Sequence, residues 1–103
     1  MVRLVAKQKE TTMKTIFKWP LTSVSTDLHM PIGAQVLTVQ MQGGQPQLWA
    51  QVDLEQPKEW RTFDALGTGH MMSDDPRIVY VATFQMDDGE LVWHVFERPR
   101  SAA

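Results

Sequence analysis

Hydrophobic and polar residues alternate with a period of two along most of the chain after residue 13, which is the pattern of half-buried β-strands. No segment shows the repeat of a long amphipathic helix. Strands of an all-β protein must bury their apolar faces against one another. We therefore expect an all-β fold, a single small antiparallel β-sandwich or barrel of about six or seven strands with little or no helix. The predicted strands are 14–19, 26–30, 34–41, 47–53, 60–66, 78–86 and 90–97.

Glycine and proline mark where these strands stop. Gly43-Gly44 and Asp87-Asp88-Gly89 predict hairpin turns, because such turns need positive φ at the tip. Pro20 and Pro31 are expected to end the first two strands, since proline lacks the N–H that a sheet requires. Segment 71–76 is rich in Ser, Asp and Pro, which predicts turns or a single 3₁₀ turn.

The alternation also assigns faces and positions. Strand 26–30 is expected at a sheet edge, with Leu28 and Met30 inward. Strand 90–97 carries apolar residues on both faces, which predicts a place in the middle of a sheet. In strand 34–41 we expect two opposite faces, one with Gln35, Leu37, Val39 and Met41 and the other with Ala34, Val36, Thr38 and Gln40.

The pattern divides the chain into three parts. Residues 1–12 turn polar and aperiodic and predict a disordered N-terminal extension, whose deletion should leave folding intact. Residues 13–97 predict a single β domain, and residues 98–103 a loose C-terminal tail because Pro99 cannot add to a sheet.

Composition narrows the function classes. The formal net charge is -2, and the basic residues are scattered apart from Arg98-Pro99-Arg100, so binding to nucleic acid is not expected. The chain has no cysteine, which excludes a disulfide, a thiolate nucleophile and a cysteine-based zinc site. No apolar run approaches the roughly 18 residues that span a bilayer, so no membrane association is expected. The expected location is the cytoplasm.

The sequence Gly67-Thr68-Gly69-His70 is the candidate binding site, for a ligand or a partner. Its glycines permit positive φ or close approach to the backbone, while Thr68 and His70 add hydrogen-bonding groups. The alternative is that the segment only turns a tight corner between strands. Of the four tryptophans, three are expected in the core or at its rim. Trp60, among charged neighbours, is expected near the surface as a binding or self-association contact.

Catalysis and metal binding are not expected. A nucleophile, base and acid can be combined from the residues, but their spacing does not show that they meet, and no known catalytic motif is present. Three widely separated histidines more often make ordinary hydrogen bonds than bind a metal. We therefore predict no catalytic residue, no metal and no cofactor. The combinations considered are Thr68 or Ser73 with His70 or His94 and Asp74 or Asp75, and, for a metal, His29, His70 and His94 with Asp64, Asp74 or Asp75.

Several short motifs occur together in a fixed order. They are Met13-Lys-Thr-Ile-Phe-Lys-Trp-Pro-Leu21, Met30-Pro-Ile-Gly-Ala34, Gly44-Gln-Pro-Gln-Leu-Trp-Ala-Gln-Val-Asp53, Gly67-Thr-Gly-His70, and Thr83-Phe84 with Leu91-Val-Trp-His-Val-Phe-Glu97. In this order the chain resembles a family of short phage and bacterial proteins known as a domain of unknown function. The resemblance implies a phage or prophage accessory setting and carries over no activity or catalytic residue.

These observations leave three hypotheses. The first is a non-enzymatic phage or prophage accessory protein that binds a host or phage protein stoichiometrically in the host-cell cytoplasm, with possible homo-oligomerisation. The second is a protein that binds or sequesters a small phosphorylated ligand, a nucleotide or phosphate, through the Gly67–His70 segment. The third is a small hydrolase of such a ligand. A pocket of converging donors at that segment would favour the second, and a metal or a hydrogen-bonded nucleophile–base pair the third.

Overall fold

The fold is known from a computed structural model that describes residues 13–100. Within this range the chain forms seven strands and one 3₁₀ turn, and no α-helix, which confirms the all-β prediction. The predicted N-terminal extension and residues 101–103 lie outside the described part. The elements are β1 Lys14–Pro20, β2 Ser25–Pro31, β3 Gln35–Gln42, β4 Gln45–Asp53, β5 Lys58–Gly67, β6 Val79–Met86, a 3₁₀ turn at Asp87–Gly89, and β7 Leu91–Arg98.

The strands form two antiparallel sheets, a three-stranded sheet in the order β1-β4-β3 and a four-stranded sheet in the order β2-β5-β7-β6. The sheets pack face to face as a sandwich and do not close into a barrel. As predicted, β2 lies at an edge and β7 in the middle of its sheet. β7 extends one residue beyond the predicted domain end, because Arg98 still pairs with Thr62 of β5.

The core lies between the two sheets and consists mainly of the residues that alternate inward along each strand. Leu28 and Met30 are buried, as their alternation with Asp27 and His29 predicts. Burial of such side chains is the main source of stability in a domain of this size. No helix among residues 13–100 is long and apolar enough to cross a membrane. The buried apolar residues are Leu21, Leu28, Met30, Ala34, Val39, Leu48, Ala50, Val52, Phe63, Phe84 and Val95.

Both predicted hairpin turns are confirmed. Gly43 and Gly44 join β3 to β4 with φ of 59° and 81°, as a turn of the I′ class requires. Residues 87–89 join β6 to β7, and Asp87, Asp88 and Gly89 also have positive φ. Aspartate tolerates this conformation better than most residues, because its short polar side chain can bond locally.

The predicted faces of β3 are wrong for part of the strand. A β-bulge shifts the register between Val36 and Thr38, so Val36 packs against the core while Leu37 is 48% exposed. An extra residue in one strand reverses the alternation beyond it, and Val39 returns to the core. A second bulge lies between Tyr80 and Ala82 in β6 and leaves Tyr80 on the outer side of the sheet.

Candidate functional site

The Gly67–His70 segment forms a tight turn at the end of β5. The His70 amide donates to the Gly67 carbonyl at 3.0 Å, and the Gly67 amide donates to His70 Nδ1 at 3.3 Å. The Thr68 amide donates to the carbonyl of Val92 in β7 at 3.3 Å. Three amides of the segment are therefore bonded within the protein.

The two glycines are needed for different reasons. Gly69 has a φ of +90°, which side chains other than that of glycine rarely permit. Gly67 belongs to the extended strand, but a Cβ atom there would lie 2.9 Å from Cε1 of His70. The His70 ring thus fills the space that a side chain would take. It also lies edge-on to Trp93, with ring centroids 6.2 Å apart.

A chain of hydrogen bonds runs from this turn across the outer face of the four-stranded sheet. Thr68 Oγ1 lies 2.7 Å from His94 Nε2, and His94 Nδ1 lies 3.0 Å from Thr83 Oγ1. Thr83 Oγ1 in turn lies 2.8 Å from the Tyr80 hydroxyl. Both ring nitrogens of His94 are therefore bonded to hydroxyl groups.

This chain contains one pair from the catalytic combination considered above, Thr68 with His94. The third member is the neutral hydroxyl of Thr83, whereas the hydroxyl–imidazole–carboxylate arrangement needs a carboxylate to stabilise the imidazolium. Asp75 instead binds Arg77, and Ser73 Oγ accepts a hydrogen bond from the Asp75 amide. The structure thus brings together two of the three members, the hydroxyl and the imidazole, and pairs the candidate carboxylate of Asp75 with Arg77.

The three histidines have separate surroundings. His29 stacks on Trp60, His70 packs on Trp93, and His94 bonds to two threonines. Within residues 13–100, no group of three or more His, Asp or Glu side chains is placed to hold a metal ion.

Trp60 lies near the other end of β5, about 23 Å along the strand from Gly67 at the usual rise per residue. Its side chain is 50% exposed, as the sequence predicts. The indole stacks on the ring of His29 in the neighbouring strand, with centroids 4.4 Å apart and planes inclined by 16°. The sequence-predicted site residues thus fall into two groups at opposite ends of one strand.

Beside Trp60 is a cleft of about 340 Å³ that we call the arginine cleft. Its arginines come from β5, from the segment before β6 and from the end of β7 and beyond. Arg61, Arg77 and the pair Arg98 and Arg100 are far apart in sequence, and folding brings them together. The cleft is lined by Arg61, Arg77, Arg98 and Arg100, with Glu59, Trp60, Val79, Glu97 and Pro99.

Arg61 forms the base of the arginine cleft. Its Nε and Nη2 donate to the two carboxylate oxygens of Glu97 at 2.7 and 2.8 Å, and its Nη1 donates to the Ala34 carbonyl at 2.7 Å. The hydrogen bond to Glu97 raises the pKa of Arg61, against the opposing effect of burial. The Arg61 side chain is only 16% exposed. It connects β5 to Glu97 in β7 and to the backbone just before β3.

The other three arginines form the rim of the cleft and are 70%, 51% and 49% exposed for Arg77, Arg98 and Arg100. Arg77 binds Asp75 through two nitrogens, Arg98 binds Asp64 in the same way, and Arg100 donates to Thr62. Each guanidinium is thus held on one side. Within the described range, Nη1 of Arg77, Nη1 of Arg98 and Nη2 of Arg100 have no hydrogen-bond partner.

These ion pairs shift the pKa values of their carboxyl groups. The hydrogen bonds from the Arg77 side chain and amide lower the pKa of Asp75 to about 2. Burial raises the pKa of Asp64, but hydrogen bonds from Arg98 and Ser25 outweigh it, so that the pKa is lowered. Both carboxyl groups are therefore ionised at neutral pH and hold their arginines in place.

The model of the family DUF7352, described as a domain of unknown function, matches residues 13–103. The chain belongs to this family. The DUF7352 match begins at Met13, where the alternating pattern also begins, and it includes Arg98 and Arg100 beyond the predicted domain end. No curated protein and no solved structure matched the chain.

Proposed function

We propose that this member of the DUF7352 family is a non-enzymatic binding protein that acts by stoichiometric contact with another protein. The contact surface in this proposal is the outer face of the four-stranded sheet together with the arginine cleft. The resemblance to phage and bacterial proteins suggests an accessory role in a phage or prophage. The partner is then a host or phage protein in the bacterial cytoplasm.

The observation that supports this proposal is a set of exposed aromatic rings that are already fixed in place. Trp60 is 50% exposed and stacks on His29, and Tyr80 is 57% exposed and meets Phe96 edge-on with centroids 5.6 Å apart. Tryptophan, tyrosine and arginine are the residues that most often dominate binding energy at protein interfaces. Rings held in one orientation lose little entropy when they are covered.

Two observations bear on the alternatives. The amides of Gly67, Thr68 and His70 already have acceptors within the protein, which counts against a phosphate site made by that turn. The 2.7 Å contact between Thr68 and His94 favours the hydrolase, but the imidazole lacks a carboxylate partner. A binding protein therefore agrees best with the geometry.

The test is to isolate the tagged protein from lysogenic cells and to weigh its complexes by native mass spectrometry. We expect a complex of defined stoichiometry that Trp60→Ala weakens by about thirtyfold, the effect of losing a dominant interface residue. Leu37→Ala is the matched control, because Leu37 is 48% exposed on the three-stranded sheet. The proposal fails if no partner is retained, or if both variants bind it as well as the unaltered protein does.

A further inference from the structure

We infer that the arginine cleft binds an acidic segment of the partner protein, with an apolar side chain of that segment on Trp60. The inference rests on the proposed function and specifies the chemistry of the partner. It follows from the arginines that line the cleft, from the spare donors of its rim, and from the apolar surface beside them.

The lining of the cleft is rich in arginine. Four arginines and two glutamates line it, whereas the formal net charge of the protein is -2. Glu97 is engaged by Arg61 through both carboxylate oxygens. Each rim arginine also has an aspartate partner, Asp75, Asp64 or Asp27, so the cluster as a whole has no net positive charge. Its rim instead offers guanidinium N–H groups, which bind carboxylates through charge-assisted hydrogen bonds.

The rim arginines are also held ready for an anion. Asp75 and Asp64 bind one side of Arg77 and Arg98 and reduce the local charge, but they also fix the two guanidinium groups. Nη1 of each has no partner within residues 13–100, so each keeps donors for a further acceptor. A fixed guanidinium loses less side-chain entropy on binding than a free one does.

The apolar surface favours a peptide segment over a small free anion. Trp60 and Val79 line the same cleft and are 50% and 58% exposed. A cleft of about 340 Å³ is at the lower end of the range for bound small groups, and it is large enough for one or two side chains. An acidic residue next to an apolar one matches this combination of arginine and tryptophan.

A protein segment is also favoured over nucleic acid. Glu59 lies in the lining, and Asp27, Asp64 and Asp75 are paired with the rim arginines. A nucleic-acid backbone carries many phosphates and needs an extended basic surface, which this arrangement interrupts. A short acidic segment needs only the few contacts that the rim provides.

The experiment uses the full chain and a fluorescein-labelled synthetic peptide rich in Asp and Glu with one Phe, and binding is measured by fluorescence anisotropy. A second peptide has Asn and Gln in place of the acids. Arg77→Gln/Arg100→Gln is compared with Lys14→Gln/Lys18→Gln, which changes the net charge equally but lies on β1 of the other sheet. Arg77→Gln is also tested alone, since the Arg77 side chain bonds only Asp75 among the described residues and its loss should leave the fold intact.

We expect the acidic peptide to bind and the neutral peptide to bind far more weakly. The arginine variant should weaken binding by about fivefold, as expected for the loss of two exposed charge pairs, and the lysine variant should change it little. The inference is overturned if the acidic peptide does not bind, if both double variants weaken it equally, or if an oligothymidine binds more tightly than the peptide. If one of these results overturns the inference, a cellular complex that Trp60→Ala weakens would still support the proposed function. Absence of any complex would count against the proposed function itself.

Discussion

The two ends of β5 carry the two groups of candidate residues, and they differ in how their polar atoms are used. At the Gly67 end, the amides of Gly67, Thr68 and His70 bond to backbone or to the His70 ring, and the hydroxyl of Thr68 is bonded to His94. At the Trp60 end, the rim arginines have a partner on one side and spare donors on the other. Most polar groups of the first end are bonded within the protein, whereas the rim arginines of the second keep more donors for a partner.

Under the proposed function, the conspicuous motif and the binding surface do not coincide. Two glycines and a histidine are conspicuous in the sequence, yet close packing and backbone conformation account for each of them. The rim arginines are less conspicuous, because Arg77 is distant in sequence from Arg98 and Arg100. A role of the Gly67–His70 turn in binding stays a prediction, which His70→Ala tests if partner binding is measured on the folded variant.

The largest expected effect is on stability, and it distinguishes the base of the arginine cleft from its rim. Arg61→Met should lower the free energy of unfolding by about 3 kcal/mol, because it leaves the mostly buried Glu97 carboxylate without its partner. Arg77→Met, on the rim, should change it by less than about 0.5 kcal/mol. Urea unfolding of both variants provides the measurement.

A second substitution checks the cause of the Arg61 effect. Glu97→Gln in the Arg61→Met background removes the unpaired charge and should restore part of the lost stability. Equal stabilities for Arg61→Met and Arg77→Met would show that the base and the rim of the cleft contribute equally to the free energy of unfolding.

The next effect concerns Gly69 at the other end of β5. Gly69→Ala should cost about 1–2 kcal/mol, because its φ of +90° is unfavourable for a residue with a Cβ atom. Gly69→Asn should cost less, since asparagine tolerates positive φ better. Thermal or urea unfolding measures the stability of the two variants. An alanine variant as stable as the unaltered protein would refute the explanation from positive φ.

The outline of this fold could be predicted because its signals are local. Alternation located all seven strands, and Gly43-Gly44 marked one hairpin because only a few residues suit its turn. The bulge at Val36–Thr38 was missed, since an extra residue in one strand has no signature in composition. The arginine cleft was missed for a different reason, because Arg61, Arg77 and Arg98 meet only through the pairing of β5 with β7 and the segment before β6.

A smaller effect tests whether Gly67 is needed for close packing. Gly67→Ala should cost about 1 kcal/mol, because the new Cβ atom displaces the His70 ring and breaks its hydrogen bond with the Gly67 amide. In a His70→Ala background the same change should cost almost nothing. A double-mutant cycle measures this coupling, and additive costs would show that the His70 ring is not the cause.

The smallest effect is a titration at the rim of the arginine cleft. The hydrogen bonds from Arg77 lower the pKa of Asp75 from its ordinary value of 3.8 to about 2. Because the folded pKa is the lower one, the stabilisation from this pair is fully present above about pH 4 and is lost as the pH falls through about 2. NMR titration of the Asp75 carboxyl carbon should give a midpoint near 2 in the unaltered protein and a higher midpoint in Arg77→Gln, where only the hydrogen bond from the amide of residue 77 remains. Asp64 is the internal control, since its pKa is lowered through Arg98 and should not respond to the Arg77 substitution. An ordinary midpoint for Asp75 in the unaltered protein would mean that the carboxylate does not hold Arg77, and the rim would then lose the fixed geometry on which acidic recognition depends.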